Sequence, residues 1–251
     1  MNTSKKPFLS GLGQDRFFWV IVGALLVAFF LLQRRAALPL VASLVGLLMA
    51  VTIHEFAHAW AADRLGDPTA RLAGRLTLNP IAHLDPVGTV MMVITVFTGM
   101  GIGWGKPVPV SPWRLKYGSR LGNGLVALAG PVSNLALASL VALLVRAVMP
   151  WAPSTVLFFG QAIVMTNVVI AFFNLLPIPP LDGASVLIGL LSLSRGHWAW
   201  QVTQFFGQLA AYGPMVLIGL ILLSQFMGLS ILGWLIGVPS RWVYGLLLGR
   251  L

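Results

Sequence analysis

The stretch from Leu38 to Leu65 is an apolar run long enough to cross a bilayer, and it carries His54, Glu55 and His58. Two imidazoles at positions i and i+4 share one face of a helix, so both can grip a single metal ion. The carboxylate beside the first can then act on a water held by that metal. Glu55 is the only glutamate in the chain, and it sits between two of only four histidines. From Leu38 to His54 is about 24 Å of helix, which puts the histidines in the last third of the crossing.

The rest of the chain is of the same kind. Hydrophobic residues make up 58% and charged residues 9%, against about 25% charged in a soluble domain. The expectation is an all-α polytopic membrane protein of about six transmembrane helices, a single embedded domain over residues 1–251. Its core is about 38–183, and helices at 17–32 and 205–248 flank it. The apolar runs are Phe17–Leu32, Leu38–Leu65, Val87–Ile102, Leu125–Met149, Thr155–Leu176, Phe205–Leu223 and a weaker Leu229–Leu248, broken by Pro239 and Arg241. Ala184–Trp200 reads as a short helix and polar connector, and Trp113–Asn123 as a basic connector. Phe17–Leu32 lacks a small-x-small cleavage site and is followed by Arg34 and Arg35, so it reads as a retained anchor.

The net charge of +10 flanks the apolar runs, and most of the nine tryptophans lie near run ends. That pattern fits orientation signals, anionic lipid and an aromatic belt rather than nucleic acid. There is no cysteine, which excludes disulfides, a thiol nucleophile and cysteine-based metal sites.

Charge also bears on Val87–Ile102. If it crosses, and the N-terminus is inside, basic residues divide seven and seven, setting aside Arg241 and Arg250. If it dips in and returns, Lys106, Arg114, Lys116, Arg120 and Arg195 move inside and Arg146 moves outside. The division becomes eleven to three, which obeys the positive-inside rule. A re-entrant or extended segment is therefore expected near residues 87–112, and irregular backbone at that depth must line protein or a water cavity.

A catalytic zinc site needs a third protein ligand and one open position. With Glu55 the sole glutamate, a second glutamate as third ligand is excluded. Asp15 lies in the tail, while Asp63 and Asp67 read as a solvated helix end. Asp182 follows the 22-residue run Thr155–Leu176 in a Pro-rich turn. An ionisable group at that depth is functional by default, and Asp182 is the candidate ligand. Four histidines and one glutamate are too few for a di-iron carboxylate centre. A transporter or channel would explain broken helices but not histidines flanking the sole glutamate. A catalytically inactive scaffold stays open.

Three motifs in this order, HEFAH at 54–58, AGPVSN at 129–134 and NLLPIPPLDG at 174–183, resemble those of the site-2 protease family of intramembrane zinc metalloproteases. The resemblance covers about Leu38–Gly183, most closely a compact bacterial type; no inserted PDZ-like or nucleotide-sensing domain is visible. It implies one zinc per chain, held by His54, His58 and Asp182, with Glu55 as catalytic base. It further implies transmembrane protein substrates cut in or near their membrane spans, and an active site toward the cytosolic side of the cytoplasmic membrane. Asn134 and Asn174, amides within the motifs, are candidates to stabilise the oxyanion; helix–helix hydrogen bonding is their alternative role. GWGKPVPVSP, residues 103–112, reads as an extended edge for an unwound substrate or as an interfacial loop. His83 is taken as an interfacial turn histidine rather than a lid or supporting residue, and His197 as interfacial.

Overall fold

The structure is a computed structural model, and it describes residues 23, 37–98, 104–226 and 231–249. The anchor expected at Phe17–Leu32 lies outside the described residues, apart from Gly23. The described fold is all-helical; within it the only β-pairing is one isolated antiparallel bridge, Leu84 with Gly105.

Helix α1 (Ala37–Arg64) is about 42 Å long at 1.5 Å per residue. It stops at Gly66, whose φ of 104° reverses the chain and lets the Asp67 N–H reach the Ala62 carbonyl at 2.9 Å. A short helix α2 (Thr69–Leu72) and a 3-10 turn (Pro80–His83) lead to α3 (Pro86–Thr98). Residues 104–111, irregular apart from the bridge at Gly105, and a second 3-10 turn (Pro112–Arg114) come next among the described residues. Then come α4 (Ser119–Val148), α5 (Ser154–Asn174), α6 (Asp182–Leu191), α7 (His197–Ala210), α8 (Gly213–Phe226) and α9 (Ile231–Leu248).

Helix α4 is the hub, packed against α1, α5 and α6, and α1 also packs on α5. The contacts use small residues, as expected where lipid is as apolar as the protein and close backbone approach supplies the attraction. Gly124 of α4 and Gly189 of α6 meet backbone to backbone: a Cβ on either would lie 3.0 Å from the other's Cα. That crossing sets the height of α6, whose first residue is Asp182.

Among the described residues, three helices are long and apolar enough to cross a membrane: Leu38–Arg64, Ser119–Val148 and Ser154–Asn174. The span expected at Phe205–Leu223 is instead two helices, α7 and α8, bent by 79°; counted as one broken span they make a fourth. Tyr212-Gly213-Pro214 explains the break, since Pro cannot donate to the preceding turn. Helix α4 begins at Ser119, inside the stretch read as a basic connector. Pro239 lies within α9 rather than ending it. A proline in an apolar helix is tolerated where neighbours and polar side chains re-satisfy the freed carbonyl.

The two ends of the segment holding α3 meet. Leu84 bridges Gly105, and the Lys106 N–H donates to the His83 carbonyl at 2.8 Å. The chain thus leaves and returns at one place.

Candidate metal centre

Helix geometry brings His54 and His58 onto the α1 face that meets α4, and both are buried. Their rings stand edge to face with centroids 4.5 Å apart. His54 Nδ1 lies 2.7 Å from Asn134 Oδ1, and His58 Nδ1 lies 2.8 Å from the Val126 carbonyl. Both partners are on α4.

The tautomers follow from a chain of carbonyls. Asn167 on α5 donates its Nδ2 to Ile163 O at 2.9 Å, so its Oδ1 faces Asn134. Asn134 donates its Nδ2 to that Oδ1 at 3.0 Å and to Ala50 O at 2.9 Å, so its own Oδ1 faces His54. A carbonyl-type oxygen at each Nδ1 requires an N–H there, and each neutral ring then presents a bare Nε2. These two lone pairs point at Asp182 Oδ2, 2.9 Å from His54 Nε2 and 3.3 Å from His58 Nε2. Asp182 Oδ2 is buried and has no hydrogen-bond donor among the described residues. Three acceptors facing one point call for a cation.

Zinc fits that donor set. Metal–ligand bonds of about 2.0–2.1 Å in a tetrahedron separate ligand atoms by about 3.3 Å, near the two distances found. The three ligand atoms all lie within 4.8 Å of one another. Each histidine is held from behind by an oxygen, the arrangement that orients metal-binding imidazoles. Gly130 leaves the room: a Cβ there would come within 2.6 Å of both rings' Cε1 atoms.

Glu55, next to His54, is half-buried, and its Oε2 accepts the Val108 N–H at 3.1 Å. The irregular stretch 104–111 therefore reaches the site and holds its carboxylate. Asn174 closes α5 and donates its Nδ2 to Ile170 O at 3.0 Å. Asn134 is fully buried, and both its amide hydrogens are used, which leaves none for an oxyanion in this arrangement.

Burial sharpens one expectation and corrects another. His83 does lie in a turn, Pro80–His83, but is wholly buried in the protein; its Nε2–H donates to Thr77 O at 2.7 Å. Asp67 is also wholly buried, accepting from the Ser111 N–H, the Thr69 N–H and the Thr69 hydroxyl. Asp63 does sit at the surface end of α1, paired with Arg71 at 3.1 Å. His197 is exposed and stacks on Trp200. Sequence reasoning missed Asn167 and Arg75. Asn167 had a signal, an amide in the middle of a long apolar run; Arg75 had only its place in a polar, turn-rich stretch.

Comparison with known proteins agrees with the geometry. Residues 147–218 match the family described as Peptidase family M50; this stretch contains Asp182 but not the histidine helix. The chain is 40% identical over 152 residues to the "Putative zinc metalloprotease YwhC" of Bacillus subtilis, covering 58% of this chain and 67% of that protein. It is 37% identical over 149 residues to Rip2 of Mycobacterium tuberculosis and 35% identical over 144 residues to Rip2 of Mycolicibacterium smegmatis, both with the same zinc metalloprotease description. Each of these two matches covers 57% of this chain and 54% of the relative, so the chain spans about half the length of the Rip2 proteins. No solved structure matches. The YwhC match, at 40% identity over two thirds of that protein, together with the M50 match, shows that the chain belongs to the M50 peptidases, the site-2 protease family.

Proposed function

We propose that this chain is an intramembrane zinc metalloprotease that hydrolyses peptide bonds in or near transmembrane segments of membrane proteins. The observation that carries the reading is the bare three-acceptor cluster of His54, His58 and Asp182 with Glu55 beside it.

When bound there, zinc would acidify a water and polarise the scissile carbonyl. His54 and His58 offer Nε2, and Asp182 offers Oδ2. Glu55 takes the proton from the attacking water, with Oε1 as the accepting atom because Oε2 already holds the Val108 N–H. It then returns that proton to the leaving amine. Asn134 positions His54. Asn174 keeps one amide hydrogen beyond its bond to Ile170 O, and it is the amide we assign to the oxyanion.

A substrate helix hides its peptide groups in its own hydrogen bonds, so it must unwind before attack. Residues 105–111 form no helix and lie beside Glu55, and that proximity supports a role in seating unwound substrate. The meeting of Leu84 and Gly105 supports a re-entrant path for the α3 segment, with the site toward the cytosolic side of the cytoplasmic membrane. A cysteine placed at Lys106 should then resist a membrane-impermeant reagent applied from outside.

The direct test is co-expression with a panel of single-span membrane proteins, comparing wild type with Glu55→Gln. That variant keeps the shape and the metal ligands but not the base. At least one substrate should be cut by wild type alone; if wild type and Glu55→Gln cut the panel alike, the protease reading fails.

A further inference from the structure

The Lys106 peptide is gripped from both sides by groups that belong to no metal-binding motif. Its N–H donates to the His83 carbonyl at 2.8 Å, and its carbonyl accepts from Arg75 Nη2. Two residues on, the Val108 N–H is the donor that holds Glu55 Oε2. Pro107 and Pro109 flank Val108, and their rings fix φ on either side of it. Between the Lys106 carbonyl and the Val108 N–H the Pro107 ring leaves one soft torsion, its ψ, so the link is stiff and the placement of Lys106 limits where the Val108 N–H points.

Arg75 is an unusual residue to find in this role. Only 6% of it is exposed, and a buried guanidinium is costly unless paired. Its hydrogen bond goes to a neutral carbonyl, and its buried Nε has no partner among the described residues. Burial pushes its pKa down, and the one charge acting against that shift is Glu55. The guanidinium thus lies within the field of the proposed base without bonding to it. Gly105 completes the fit: a Cβ there would meet Val51 Cγ1 at 2.8 Å and approach Glu55 Oε1 at 3.6 Å.

We propose that Arg75 is a positioning residue for hydrolysis: by holding the Lys106 carbonyl it fixes the stiff segment whose Val108 N–H sets the orientation of Glu55. This rests on the protease reading above. Arg75 acts through the segment, and no contact with zinc or its ligands is involved.

The experiment compares purified wild type, Arg75→Gln, Arg75→Lys, Arg71→Gln and Glu55→Gln in lipid vesicles with a cleavable single-span substrate. Arg71 sits on the neighbouring exposed ion pair and controls for loss of a positive charge. Arg75→Gln should lower kcat by about tenfold or more, the scale expected from misplacing a catalytic group by a fraction of an ångström to an ångström. KM should stay within about twofold and zinc near one per chain. Arg75→Lys should recover part of kcat, and Arg71→Gln should match wild type. Independently of activity, a soluble protease should nick residues 105–112 faster in Arg75→Gln than in Arg71→Gln, with or without zinc. An unchanged kcat, a rise in KM alone, or loss of zinc from both Arg75 variants overturns the proposal. If Glu55→Gln is inactive while Arg75→Gln is fully active, only the role of Arg75 falls. If Glu55→Gln cleaves like wild type, the protease reading itself falls.

Discussion

Asn134 Oδ1 lies 2.7 Å from His54 Nδ1, at the end of a relay that begins at the Ile163 carbonyl and passes through Asn167. The relay spans α5, α4 and α1, so the tautomer of a proposed ligand on one helix is set by a carbonyl on another. Partners of this kind are typically worth about 10–100-fold in metal affinity. Asn134→Leu should lose affinity on that scale when titrated against a chelating dye, because His54 is then free to turn its bare nitrogen away. Asn167→Leu should cost about 1 kcal/mol of stability for the lost bond and the unpaired Asn134 hydrogen, and less affinity than Asn134→Leu, because the bond to Ala50 O still orients Asn134. Equal zinc affinity in Asn134→Leu and wild type would show that packing alone orients the ring.

Gly130 makes a separate demand on the same site. A methyl group there would lie 2.5 Å from His58 Cε1 and 2.6 Å from His54 Cε1, well inside contact distance. The rings are buried and fixed through Nδ1, so they can retreat only by breaking those bonds. Gly130→Ala should therefore bind substoichiometric zinc while the helical content seen by circular dichroism stays close to wild type. Full zinc occupancy would mean that α4 itself shifts to make room.

How much of this could be read from the chain depends on how local each feature is. The i, i+4 pair His54 and His58 is fixed by helix geometry alone, and the apolar lead-in from Leu38 gives its setting. Asp182 needed a longer argument, from depth in the membrane and from motif order. The bend between α7 and α8 was hidden because hydropathy runs on through Gly213 and Pro214, and a window average does not see a missing donor. The burial of Asp67 and His83 is hidden because each lies in a polar, turn-rich stretch. Their burial comes from residues about 20 to 45 positions away folding back over them, through Ser111 on Asp67 and Lys106 on His83. Composition carries no trace of such returns.

Asp67 offers a test of that return by pH. Burial opposes its charge, but the Ser111 N–H, the Thr69 hydroxyl and N–H, and nearby Arg114 together outweigh burial and hold its pKa below the ordinary 3.8. A depressed carboxylate pKa means that the folded state releases the proton more readily than the unfolded state. The stabilisation is complete above pH 3.8 and is lost as pH falls through the lower folded value. Asp67→Asn should therefore be less stable than wild type at neutral pH in detergent melts. The gap should narrow as the pH falls below 3.8. A gap independent of pH would assign the loss to shape rather than charge.

Gly189 tests whether the site depends on a crossing remote from it in sequence. Its Cβ position lies 3.0 Å from Gly124 Cα and 3.2 Å from the Arg120 carbonyl, both backbone atoms of α4 that cannot swing aside. A branched side chain must push α6 off α4, and α6 begins with Asp182. His54 and His58 belong to α1 and are oriented by α4 residues, so they stay in place when α6 moves. Gly189→Val should then leave a two-histidine half-site, with zinc bound far more weakly. Adding Asp182→Ala to Gly189→Val should cost little more affinity, since both changes remove the same ligand. Additive losses in that double mutant would show that α6 still delivers Asp182 and that the Gly124–Gly189 contact does not set its position.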